Sequence, residues 1–81
     1  MDVIRISTSQ DDHSRLVATA TIDGLDQPDY DLNFRTNGAG SGLWIERWTG
    51  EWQQVLGTGQ FSASNRRQMR ERVRRYCERS L

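Results

Sequence analysis

Catalytic chemistry in this chain would have to start from one imidazole and one thiol. Asp11-Asp12-His13 is the only place where acids adjoin the single His. Adjacent strand residues point to opposite faces, and a turn would bring such a trio into only a weak metal contact, so no metal site is expected. A Ser–His–Asp set can be drawn on paper, yet nothing in the spacing gathers it and there is no nucleophile-elbow pattern. Asn37-Gly38-Ala39-Gly40-Ser41-Gly42 has the glycines of a phosphate-cradling loop, but it opens a strand where a dinucleotide loop opens a helix. Cys77 falls on an apolar helix stripe and reads as a small core residue. A lone Cys also leaves no internal disulfide and no Cys-based zinc site. The expectation is a non-enzymatic chain with no catalytic residue and no cofactor.

Arginine carries a stronger signal. All eleven basic side chains are Arg, against eleven acids. Residues 1–62 hold four Arg against nine acids, a net of −5; residues 63–81 hold seven Arg against two Glu, a net of +5. On a helical projection Arg66, Arg70 and Arg74 form one row, Arg72, Arg75 and Arg79 the opposite flank, and Arg67, Glu71 and Glu78 face outward. Like charges at i, i+4 repel, and Arg66 and Arg67 stand where the helix dipole disfavours cations by about 0.3–1 kcal/mol each. One reading is a phosphate-contacting helix using Arg66, Arg67, Arg70 and Arg74, whose forks match phosphate oxygens. The other has both rows snorkelling over the sheet edges to pair with Asp and Glu. The matched −5 and +5 favour pairing.

Two further sets could carry binding. Trp44, Trp48 and Trp52 share a face if Trp48 pairs with Trp52 across a three-residue loop. If the helix covers that face they are core, the reading a small domain favours; if not, they form an aromatic platform able to stack bases. Asp11, Asp12, Asp23, Asp26, Asp29 and Asp31 recur through one turn, one loop and the next strand. They read either as solvated turn formers or as an anionic surface for a basic protein partner.

The elements that must position these residues follow from periodicity. Val3–Ser7 is short and β-branched, Ser9–Ser14 turn-like, and Arg15–Ile22 alternates, with Leu16, Ala18, Ala20 and Ile22 on one face. Residues 23–29 read as a loop broken by Gly and Pro, and Tyr30, Leu32 and Phe34 alternate with polar residues. Leu43–Trp48 and Trp52–Leu56 read as a hairpin around Thr49-Gly50-Glu51. Met69, Val73, Tyr76 and Cys77 make one apolar helix stripe, with Ser62 or Ser64 as N-cap. The expected fold is α+β: a single domain over residues 1–81 with an antiparallel meander of four or five strands within 2–60. One C-terminal helix, over about 63–79, packs on one face.

The run Val55-Leu56-Gly57-Thr58-Gly59-Gln60-Phe61-Ser62-Ala63-Ser64, leading into a helix, resembles the strand-to-helix junction of three-stranded DNA-binding domains of the integrase type. The resemblance covers residues 30–77 and implies DNA reading by the outer sheet face, although the helix here is Arg-rich where those domains have an Ala-rich one. In design, a short strand meander with one helix, no catalytic set and segregated charge is similar to small phage-encoded anti-CRISPR inhibitors. That resemblance implies a cytoplasmic protein of an infected bacterium that blocks a nucleoprotein complex. The leading expectation is therefore a binding protein that engages and inhibits a nucleic-acid-processing assembly by protein–protein contact. Direct nucleic-acid binding by the Arg-rich helix is the alternative. No apolar run is long enough to span a membrane, and a thin core with open strand edges makes a homodimer feasible.

Overall fold

The computed structural model describes residues 3–24 and 27–80. Five strands, β1 (Val3–Gln10), β2 (Leu16–Gly24), β3 (Gln27–Arg35), β4 (Leu43–Glu46) and β5 (Trp52–Leu56), precede one helix, α1 (Arg66–Ser80). The strands form one antiparallel sheet in the order β1-β2-β3-β4-β5, the meander expected from the alternation. Ile4, Ala20 and Leu32 lie on one face, as do Ala18, Phe34 and Ile45 through their cross-strand pairings. That face packs on α1, whose Met69, Val73 and Cys77 are fully buried. Each such side chain contributes about 1.5–3 kcal/mol when removed from water.

Contacts of α1 fall on β1 and β2, off the centre of the sheet. Ala18 and Ala20 provide a flat seat there, both fully buried. Tyr76 reaches β3, its ring edge-on to Phe34 with centroids 5.7 Å apart. Arg74 Nη1 donates to the Ile4 carbonyl at 2.9 Å and fastens the helix to an outer strand.

Three local expectations are corrected. Residues 23–29 are mostly strand: β2 runs to Gly24 and β3 starts at Gln27. Pro28 and Asp29 together face Asp23 across a register shift, a β-bulge where a missing N–H costs no ladder bond. The β4–β5 hairpin pairs Glu46 with Trp52 and Trp44 with Gln54, two residues away from the expected register. Arg47 N–H donates to the Glu51 carbonyl at 2.7 Å, so the loop is Trp48-Thr49-Gly50, closed by Gly50 at φ 87°. A glycine in the left-handed region at the end of a three-residue loop outweighs an aromatic pair worth about 0.2–1 kcal/mol.

The third correction concerns the helix start. Asn65, not a serine, is the N-cap: its Oδ1 accepts the Gln68 N–H at 2.9 Å, and Gln68 Oε1 accepts the Ser64 N–H at 2.8 Å. Ser62 cannot cap because it is still extended, bridged to Ser41. Gly42 N–H donates to the Phe61 carbonyl and Ala63 N–H to the Gly40 carbonyl, both at 2.8 Å. The glycine-rich 37–42 connection is thus a docking strip for the chain that leads into α1. Asn37 Oδ1 ties it further by accepting the N–H groups of Ala39 and Ser41.

Gly40 makes this strip sensitive. A Cβ there would stand 2.2 Å from the Ala63 carbonyl oxygen, at φ 78°. Gly40→Ala is expected to cost at least about 3 kcal/mol, because backbone strain and a clash with main chain add together. Gly50→Ala, where a Cβ meets nothing within 4 Å, is expected to cost only about 1 kcal/mol. Urea unfolding of the two variants checks the order; equal losses would contradict the docking role of residues 40–63.

Candidate functional site

Alternation places Arg5, Thr19, Thr21, Asp23, Asp31, Asn33, Arg35, Trp44, Glu46 and Trp52 on the sheet face away from α1. Most of this face is satisfied internally. Arg5 Nη2 lies 3.2 Å from Asp23 Oδ1 and 3.6 Å from Asp29 Oδ2. Thr21 Oγ1 donates to Asp31 Oδ1 at 2.7 Å, and Asn33 Nδ2 donates to Glu46 Oε1 at 3.1 Å. The acids still crowd. The Asp29 carboxyl is pushed above its ordinary value, first by the hydrogen bond it shares with Asp23, then by partial desolvation and the charges of Asp23 and Asp31, with Arg5 opposing.

The turn carboxylates divide. Asp11 Oδ1 accepts the N–H groups of His13 and Arg15 at 3.0 and 2.9 Å, and Arg15 Nε donates to Asp11 Oδ2 at 2.7 Å. Partial desolvation works against it, but these bonds hold the Asp11 carboxyl below its ordinary value. Asp11 is therefore a turn organiser, with Ser14 at φ 62° completing the turn. Asp12 and His13 are exposed beside it. Asp26 lies outside the described residues. Among the described residues no three His, Cys, Asp or Glu side chains converge on a metal position, and no helix is long and apolar enough to cross a membrane.

The tryptophans are not core. Trp44 and Trp52 lie half-buried on the face opposite α1, against Arg35, whose guanidinium carbon is 5.1 and 4.9 Å from their ring centres. Trp48 is 96 % exposed at the hairpin tip. The helix packs instead on the Phe34–Ile45 face, so the helix arginines and the tryptophans occupy opposite sides of the sheet. Arg35 is the cation that stands with the aromatics. Desolvation, then the neighbouring Arg15 charge, lowers its pKa, and its Nε is buried without a hydrogen-bond partner.

On the other side, the described residues do not show the expected pairing of helix Arg with acids. Among the described residues the ion pairs are Arg5–Asp23, Arg5–Asp29 and Arg15–Asp11, and none involves α1. Arg74 binds the Ile4 carbonyl and Arg72 binds the Ser62 carbonyl. Arg66, Arg67, Arg70, Arg75 and Arg79 are exposed. Because α1 sits over β1 and β2, a groove of about 570 Å³ opens along its other flank, between Arg72, Arg75, Tyr76 and Arg79 on the helix and Leu56, Gln60, Phe61 and Ser62 opposite. Among the described residues no carboxylate side chain lines it. Helical projection alone identifies this flank as a row but cannot say that it borders a groove; that depends on the lateral seat of the helix.

Cys77 is excluded from solution chemistry. Burial first, with Glu78 assisting and Arg74 opposing, pushes its thiol up to about 11. At pH 8 the folded chain should react with a thiol reagent far more slowly than a free thiol, since the thiolate is the nucleophile. The rate should climb with urea in step with unfolding, and fast labelling of the folded chain would contradict the buried placement. Comparison of the chain with protein-family models, curated proteins and solved structures finds no match, so the reading of these surfaces rests on their own residues.

Proposed function

We propose that the chain is a non-enzymatic nucleic-acid-binding module that contacts phosphates through α1. The observation that carries this reading is that, among the described residues, no carboxylate pairs with a helix arginine, and five of these arginines are exposed. Rows such as Arg66–Arg70–Arg74 repel within the free protein, and a phosphate backbone relieves that repulsion. Arg66 and Arg67 open a helix whose first turn holds no acid. There the positive end of the helix dipole and the guanidinium forks both favour a phosphate. The acidic sheet face then turns away from the polyanion and limits contact to one side.

Binding of labelled duplex DNA, single-stranded DNA and RNA, followed by fluorescence anisotropy over a salt series, tests the reading. Affinity should fall steeply with salt. Replacing Arg66 and Arg70 together by Ala should lower the duplex salt slope by about two, at about 0.9 per phosphate contact. Absence of binding to all three at low salt would reject it.

A second reading is favoured by the crowding of Asp23, Asp29 and Asp31 and by the exposed Trp48. In it the sheet face docks on a basic protein surface of a nucleic-acid-processing complex, such as a CRISPR-type nucleoprotein, and blocks it. Trp is enriched among the residues that carry most of the binding energy at protein interfaces. Under this reading Asp29→Arg or Trp48→Ala abolishes inhibition of such a complex with folding intact, while Arg66→Ala leaves it unchanged. The opposite pattern returns the function to α1.

A further inference from the structure

The groove beside α1 is built differently from the rest of the arginine surface. Arg72, Arg75 and Arg79 recur at i, i+3 and i+7, so three guanidiniums line one wall. Arg72 is held in place, since its Nη1 donates to the Ser62 carbonyl and reaches the Ser62 hydroxyl at 3.5 Å. Gln60 is also oriented: its Oε1 accepts the Gly57 N–H at 2.7 Å, which leaves its amide NH2 as a donor. Three guanidiniums and one amide thus donate in the lining, whose apolar part is Leu56, Phe61 and Tyr76. A bare phosphate would satisfy the donors and leave this apolar part wet. A volume of about 570 Å³ is that of a small-molecule site, larger than one phosphate needs.

We infer that this groove takes a single unpaired nucleotide, with its phosphate on Arg72, Arg75 and Arg79 and its base against Tyr76. The inference rests on the nucleic-acid reading of α1 and adds its substrate class: single strands or frayed ends over intact duplex. A base held in a duplex is stacked and paired, so it cannot enter a groove between helix and loop without leaving the stack. Stacking on an aromatic surface tolerates any base, so little sequence preference follows.

The test compares a 5′-phosphorylated single-stranded decamer with a blunt duplex at the same salt. It uses the full chain, the pair Arg75→Ala with Arg79→Ala, and the pair Arg66→Ala with Arg67→Ala. All four residues are exposed, so the variants should fold, which circular dichroism verifies. Adenosine monophosphate and inorganic phosphate, titrated separately by amide NMR, supply a readout independent of the longer ligands.

The single strand should bind about tenfold or more tightly than the duplex, in line with base–aromatic stacking. The groove pair should erase that preference, whereas the outer pair should weaken both ligands alike. The monophosphate should shift Gln60, Ser62 and Tyr76 at concentrations where phosphate does not. Equal binding of strand and duplex, with both variant pairs weakening them alike, overturns the groove and leaves the α1 reading standing. Failure of every oligonucleotide at low salt, with no shift from the monophosphate, overturns both.

Discussion

One α-helix cannot cover a five-stranded sheet. Strands stand about 4.8 Å apart, so the sheet is about 19 Å wide from first strand to last, whereas a helix with its side chains is about 10–12 Å across. Where the helix settles is decided by side-chain size. Ala18 and Ala20 give β2 a low profile, so Met69, Val73 and Cys77 descend there and α1 lies over β1 and β2. The bulk of Phe34, Leu43 and Ile45 stands to one side, capped by Tyr76 and by the returning chain at Phe61 and Ala63. The groove is the space that neither the helix nor that chain fills.

The same layering decides the fate of the charges. Packed layers stand about 10 Å apart and the outer helix surface adds about 5 Å more. Carboxylates on the far sheet face are thus farther from the outward arginines than the Debye length of about 10 Å at 0.1 M salt. A sequence with zero net charge therefore folds into a molecule whose two sides do not neutralise each other. The acids are partly relieved by Arg5, Arg15 and Thr21 on their own side. Among the described residues, arginines of α1 bind the backbone carbonyls of Ile4 and Ser62 and the Ser62 hydroxyl, and pair with no carboxylate. That asymmetry makes the helix the surface with unmet electrostatic demand.

Periodicity carried the meander and the buried stripe of α1, because alternation and the i, i+4, i+8 spacing of Met69, Val73 and Cys77 are properties of single segments. Choices between segments were less legible. Strand β4 has bulky apolar residues on both faces, Leu43 and Ile45 on one and Trp44 on the other, so its own pattern cannot say which face meets the helix. Two alanines on a different strand decide it. A hairpin slip of two residues preserves every face and so escapes any argument from burial; only the backbone demand at Gly50 separates the registers. The cap moved to Asn65 because Ser62 is engaged by a strip twenty residues earlier, a contact no local signal announces.

The tryptophan face then acquires a structural meaning. Strand β3 pairs with β4 at only two positions, Phe34 with Ile45 and Arg35 with Trp44, a weak attachment for a whole hairpin. Arg35 reinforces it by lying against Trp44 and Trp52 together, at about 0.5–1 kcal/mol for each cation–π contact on an accessible face. The Asn33–Glu46 hydrogen bond extends the same join. An indole face covered by a guanidinium is not open to a nucleobase, which turns the aromatic platform from a binding surface into a brace. What it braces is β5, and Leu56 at the end of β5 forms part of the wall that faces Arg72, Arg75 and Arg79. The outer face and the groove are thus coupled through the hairpin: cations and indoles on one side of the sheet hold in place the wall that the arginines on the other side require.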